Sequence, residues 1–252
     1  MEIFVVGEGI SEKKVCDQLE KIIGIKLKYS LAGGNGKKGV NQKASNIVSP
    51  LLQEEESVSC LLMYDLDSHN NETEADILKS IYGNTGWLKK IESCKEIDFN
   101  SAVIHNSIYP NLHTLSIPEL KLNIAIHIAT KKWRKGFIKS AIDDYVLELA
   151  LIPTTMNSIL AEINKSKINI HIPSIKIFDK VTKEIPDLMQ SNANGIDDLI
   201  EAKDYLGFYG AVLKLHTPPP NVIEKIMAHA DEKDIREVFG ALIAAFEFVG
   251  GE

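Results

Sequence analysis

A chain of 252 residues, 44% apolar and 25% charged, has material for one large core, or for one domain with a helical annex, and holds no run near the roughly 18 apolar residues of a membrane helix. Its net charge of −7 argues against a protein that coats nucleic acid through bulk positive potential, although carboxylates that hold a cation add negative charge which that cation offsets locally. Cys16, Cys60 and Cys94 are an odd number without close spacing. That argues against a disulfide framework or zinc knuckle and, with no basic-then-apolar leader, makes the reducing cytoplasm the expected location.

Residues 2–6 are a short apolar run rich in β-formers, closed by Gly7-Glu8-Gly9. Ser11 then stands as an N-cap, with Lys14 rather than an acid at the capping-box position. A helix is predicted over 12–23, with Val15, Leu19, Ile22 and Ile23 inward and Gly24 as its stop. A second strand follows over 26–31, a flexible glycine-rich loop over 33–39, and a helix over 41–55. A buried third strand runs over 58–64 and ends at Asp65. Strand–helix alternation at this spacing predicts parallel pairing with right-handed crossovers. Ligands of such sheets gather at the carboxyl ends of the strands, where Glu8, the 33–39 loop and Asp65-Leu66-Asp67 all fall.

A helix is next predicted over 74–82, a fourth strand over 102–105, a turn-rich loop over 107–119 and a strand over 122–128. From Trp133 the periodicity turns helical, with Phe137, Ile138, Ala141, Ile142, Tyr145, Val146 and Leu149 on one face. Pro153 interrupts it. Further helices are predicted over 154–163, 196–215, 221–230 and 234–249, with a break at Pro218-Pro219-Pro220. The expected architecture is α/β: a parallel sheet flanked by helices over 1–130, and a mostly helical part over 131–252 packed on it as one compact unit.

Four acids carry the chemistry. Glu8 sits between two glycines just past a strand, where a turn projects it, and Glu12 is four residues on. Asp65 and Asp67 flank Leu66, and side chains at i and i+2 of extended chain share a face. At the ends of neighbouring strands these carboxylates would converge, and crowded carboxylates repel unless a cation or shared protons neutralise them. Hard oxygen ligands suit Mg²⁺ or Mn²⁺, and paired ions about 3.5–4 Å apart can clamp attacking and leaving oxygens of a phosphoryl group. Three of the four have a plainer reading too: Glu12 as a first-turn residue facing the helix dipole, the two aspartates as solvated turn formers. The backbone of Gly33–Gly39 can hold phosphate, with Gly34 as a contact and Lys37 or Lys38 adding charge. It lacks the Gly-Lys-Ser/Thr ending of a P-loop, and an ordinary linker is the alternative. Residues 131–135, Lys-Lys-Trp-Arg-Lys, read first as a solvated surface run.

With these residues placed, the chain resembles a TOPRIM domain, the metal-binding fold of topoisomerases, bacterial primases and several nucleases. That family has a glutamate after its first strand and Asp-X-Asp after its third, here Glu8 and Asp65-Leu66-Asp67. The resemblance covers residues 1 to 105. VVGEGISE is similar to the glycine-flanked start of OLD-family nucleases and their stand-alone relatives, with Gly7 where an aliphatic residue is commoner. In that branch a second glutamate serves metal, which points to Glu12. The resemblance further implies a later acidic ligand, Asp143 or Asp144, against the plain reading of a solvent-facing pair. It implies a C-terminal lysine that stabilises charge on phosphate, for which Lys203 is the candidate, on an apolar stripe where it must snorkel or meet acids. The function implied is divalent-metal-dependent cleavage of phosphodiester bonds in nucleic acid, DNA foremost, with one or two Mg²⁺ or Mn²⁺ ions. The alternative is a non-catalytic or regulatory TOPRIM-like subunit, served by a separate ATPase or helicase chain. Self-association into a homo-oligomer fits either, and neither involves a membrane.

Overall fold

The computed structural model describes residues 2–33, 35–67, 70–165, 173–192, 199 and 201–251. The chain divides into two compact units, residues 1–130 with 239–252, and residues 131–238. The first break in the chain between these units falls after residue 130, the expected break being that between 1–130 and 131–252. The last stretch differs: residues 239–252 return to the sheet unit instead of staying with the helical part.

In the first unit the elements run β1 (Ile3–Gly7), α1 (Ile10–Ile23), β2 (Leu27–Leu31), α2 (Gly36–Gln53), β3 (Val58–Asp65), α3 (Glu74–Tyr82), α4 (Phe99–Ala102), β4 (Val103–His105), β5 (Leu112–Ile117) and β6 (Leu122–Ala129). One six-stranded sheet has the order β2-β1-β3-β6-β5-β4. The first four of these strands are mutually parallel, while β5 is antiparallel to β6 and β4 to β5. Strand β5 lies inside a stretch expected to be loop. Its residues Leu-His-Thr-Leu-Ser-Ile alternate only weakly and follow turn formers, so its strand character comes from pairing with β6 rather than from propensity. Helix α2 begins at Gly36, inside the expected glycine loop.

The central strands are buried on both faces, which is why β3 reads as a continuous apolar run. On one face α2 and α3 supply Val40, Ala44, Val48, Ile77 and Ile81 to a core with Phe4, Val6, Cys60, Leu62, Ile124 and Ile126. On the other, Cys16 of α1 meets Met63, sulfur to sulfur at 3.6 Å. A last helix, Gly240–Gly250, packs along β6, β3 and β5. It begins at a glycine because a Cβ there would stand 2.5 Å from the Tyr109 hydroxyl.

The second unit is helical: α5 (Ile142–Ala150), α6 (Pro153–Lys165), α7 (Ser174–Asp179), a π-helical turn Lys180–Glu184, α8 (Ile185–Asn192), α9 (Ala202–Val212), α10 (Pro219–His229) and α11 (Glu232–Val238). The final helix of the sheet unit is then α12. Helix α5 is central and touches α6, α9, α10 and α11. Residues 133–141 are not helical, contrary to the periodicity; Trp133 and Phe137 instead pack on Tyr205 of α9, with ring centroids 5.5 Å away in each case. Among the described residues no single helix is long and apolar enough to cross a membrane; the bent pair α5–α6 passes by length and composition, and α5 is nearly all buried within its unit.

Core positions on the two faces of the sheet should cost alike when truncated. Leu62→Ala is expected to lower stability by about 2–5 kcal/mol and Phe246→Ala, in α12, by about 3–5 kcal/mol, because both side chains are fully buried. Ile104→Ala, 62% exposed on edge strand β4, is expected to stay within about 0.5 kcal/mol. Urea unfolding of the three variants checks this.

Candidate metal and phosphate site

The carboxyl ends of β1 and β3 lie side by side because the strands pair in parallel, Val6 opposite Leu62. Glu8 is the first residue after β1 and Asp65 the last of β3. The Asp65 amide donates to Glu8 Oε1 at 3.4 Å, so this glutamate bridges the two strand ends. The start of α2 closes on its other oxygen: a Cβ built on Gly36 would lie 3.9 Å from Glu8 Oε2.

Glu12 is 5% exposed, and its Oε2 accepts from the Gly9 amide at 3.1 Å. This corrects the expected Ser11 cap. Helix α1 starts at Ile10, and the acid in its first turn reaches back to the cap residue's own N–H. Tyr29, which the sequence reading passed over, completes this corner. It lies opposite Val5, and its hydroxyl donates to the Gly9 carbonyl at 3.2 Å. A Cβ on Gly7 would stand 2.1 Å from that hydroxyl oxygen, so the glycine at position 7 is what admits the tyrosine. Burial pushes the Tyr29 hydroxyl well above its ordinary pKa, and the charges of Glu12 and Asp65 push it the same way. The carboxylates of Glu12, Asp65 and Asp17 thus bear on one half-buried tyrosine.

Asp67 lies in the turn after β3. Its Oδ2 accepts from Asn70 Nδ2 at 2.7 Å, and its amide donates to Glu72 Oε2 at 3.4 Å. The other oxygen of Glu72 meets Lys37 Nζ at 2.5 Å. Lys37, expected as a phosphate contact, is therefore ion-paired, while Lys38 beside it is exposed. Glu72 carried no signal in the sequence beyond being an acid five residues after another. Gly34, Ser68 and His69 lie outside the described residues.

Among the described residues no group of three or more His, Cys, Asp and Glu side chains is arranged to hold a metal ion. The expected four-carboxylate cage is resolved into a Glu8–Asp65 contact, a Glu12–Gly9 cap and an Asp67–Glu72–Lys37 network, in which backbone amides and one ammonium relieve the crowding. Carboxylate oxygens are nonetheless the donors at these strand ends, and that donor chemistry fits Mg²⁺ or Mn²⁺ rather than a thiolate- or imidazole-seeking ion. The buried histidines farther along the sheet add no positive charge. Burial, and then His105, pulls His113 down to about 4, and burial, and then His113, pulls His127 down to about 3.

The remaining candidates belong to the second unit. Both Asp144 oxygens accept backbone bonds, from the Trp133 amide at 2.8 Å and the Ala141 amide at 2.9 Å. Asp144 is 1% exposed. It caps α5 and pins the basic loop ahead of it, a fold-fixing role. Asp143 is also buried rather than solvent-facing, at 9% exposure. Lys203 is exposed. Of the helix expected over 196–215, residues 196–198 and 200 lie outside the described residues; α9 runs Ala202–Val212 from an extended cap at Glu201, and its buried face is Ala202, Tyr205, Leu206, Tyr209 and Gly210, so Lys203 is off the apolar stripe.

Burial, opposed by its two backbone bonds, raises the Asp144 carboxyl from 3.8 to about 6. The folded state then holds this proton more tightly than the unfolded chain. Stability from this group is greatest in acid and declines as pH rises from 3.8 to about 6. Asp144→Asn is expected to remove that slope, which urea unfolding across this pH range measures.

No protein-family model matches the chain, and neither does any curated protein. A solved structure does: that of a hypothetical protein, PH0156, from Pyrococcus horikoshii OT3 is similar at a TM-score of 0.56 and 11% sequence identity, over 100% of this chain and 99% of that one. The likeness supports the α/β fold and carries no function with it.

Proposed function

We propose that the chain is a divalent-metal-dependent enzyme that cleaves phosphodiester bonds of nucleic acid, DNA foremost. What supports the reading above all is the contact between Asp65 and Glu8 across the carboxyl ends of adjacent parallel strands, where an open α/β sheet places its ligands. Glu8, Asp65 and Asp67 would hold Mg²⁺ or Mn²⁺, with Glu12 toward a second ion. Such an ion, when bound, would supply Lewis acidity toward a phosphoryl oxygen and would acidify water. The chain's own contributions are orientation and charge. The Asp65 amide fixes the Glu8 carboxylate and Asn70 fixes Asp67, while Lys37, ion-paired with Glu72, would offer its ammonium to phosphate only on leaving that partner.

The second reading is a non-catalytic metal- or nucleic-acid-binding subunit of a larger assembly. It is favoured by the absence, among the described residues, of a ready three-ligand group and by the net charge of −7. Nicking of supercoiled plasmid with Mn²⁺ separates the two. The enzyme reading expects metal-dependent nicking that falls about 100-fold or more in both Glu8→Ala and Asp67→Ala. Mn²⁺ binding by calorimetry without nicking would favour the subunit, and primer extension on adding nucleotides would mark a nucleotidyl transferase.

A further inference from the structure

Two donors from separate elements converge on one anion. Lys37 Nζ, in the first turn of α2, lies 2.5 Å from Glu72 Oε1, and the Asp67 amide, past the end of β3, lies 3.4 Å from Glu72 Oε2. The two oxygens of a single carboxylate thus span an ammonium and a backbone N–H, a pairing that two oxygens of a phosphate meet equally well. The Glu72 side chain is 16% exposed and that of Lys37 30%, so the pair is more than a loose surface contact. The Glu72 amide also closes the turn by donating to the Asp67 carbonyl at 3.3 Å, which holds the carboxylate in place. The first turn of α2 contributes no acid of its own, and a further carboxylate, Asp76 of α3, feels the Lys37 charge, which, after the Thr73 hydrogen bonds, helps lower its pKa.

We propose that Glu72 is an internal occupant of a phosphate subsite: its carboxylate fills the anion position that Lys37 and the Asp67 amide form, and a backbone phosphodiester of nucleic acid binds there by displacing it. The proposal rests on the nucleic-acid reading above and adds to it a residue that sets affinity. Glu72 keeps Lys37 at the site without leaving its charge open to every passing anion. It makes entry of a phosphate an exchange of one anion for another. A ligand with one weakly held phosphate gains little by that exchange, and a strand offering several phosphates gains more.

The test is fluorescence anisotropy of a labelled oligonucleotide duplex with the full chain, with Ca²⁺ replacing Mg²⁺. Glu72→Gln keeps the shape and an acceptor oxygen but removes the charge. It is expected to bind about fivefold more tightly than wild type at low salt, with the slope of log K against log salt steeper by about one, as for one further phosphate contact. Lys37→Gln added to Glu72→Gln is expected to cancel the gain, and Lys37→Gln alone to move affinity less than Glu72→Gln does. An unchanged or weaker affinity in Glu72→Gln, or a gain that survives loss of Lys37, overturns the subsite while wild-type binding keeps the nucleic-acid reading. Binding by no variant, wild type included, overturns both. Where circular dichroism shows Glu72→Gln to be misfolded, Lys37→Gln decides alone: a loss of affinity above about fivefold means that Lys37 already serves phosphate unopposed, and the proposal fails.

Discussion

Burial of β3 on both faces is the constraint from which the rest follows. A strand covered by helices above and below can hold no charge along its length, because an unpaired ion there would cost far more than any side chain returns. From Val58 to Tyr64 every residue is buried, and the first carboxylate comes at Asp65, where the cover ends. The same holds for β1, apolar from Ile3 to Val6, with its acid at the next residue past Gly7. Parallel pairing then brings those two exits together. The location of the acids is thus a result of core formation as much as of any chemistry they perform.

Once the acids share that position, their mutual repulsion has to be met. Three different devices meet it. Glu8 takes an amide from the neighbouring strand, Glu12 takes one from its own helix start, and Asp67 is tied through an amide and a second carboxylate to a lysine. The two amides stabilise their carboxylates without cancelling the charge, only the lysine brings an opposite one, and each device leaves carboxylate oxygens with further lone pairs. Tyr29 marks how close this corner is: its phenol is held neutral by burial beside Glu12 and Asp65, and it fits only because Gly7 has no side chain.

The parallel half of the sheet was legible because its strands are apolar runs bounded by glycines and acids, and because helices at a 3.6-residue period separate them. β5 was not, since a strand on the antiparallel side is specified by its neighbour more than by its own residues. The start of α2 was missed because four glycines in seven residues look like loop, yet Gly36 and Gly39 are helical, and Gly39 lies buried in the first turns of α2. At the site, the positions of Glu8, Asp65 and Asp67 were readable from spacing. Tyr29 and Glu72 were not, because their roles come from contacts across 20 and 35 residues of chain. Lys203 and Asp144 show the converse. Periodicity placed the lysine on the apolar stripe, whereas the buried stripe of α9 runs through Ala202, Tyr205, Leu206, Tyr209 and Gly210, and the acidic pair looked external although α5 is buried almost all round.

The chain leaves the sheet after residue 130 and comes back at Phe239. During translation all six strands emerge before the helix that lies along β6, β3 and β5. At about 5–20 residues per second, the ribosome needs roughly 5–20 s to supply it. Through that interval the strand face destined for Phe246 and Val249 has no lid of its own, and an uncovered apolar sheet is what nascent-chain chaperones capture. The segment between residues 131 and 238 has by then supplied the seven helices of its described residues, so a sheet that emerges before them is completed only after them.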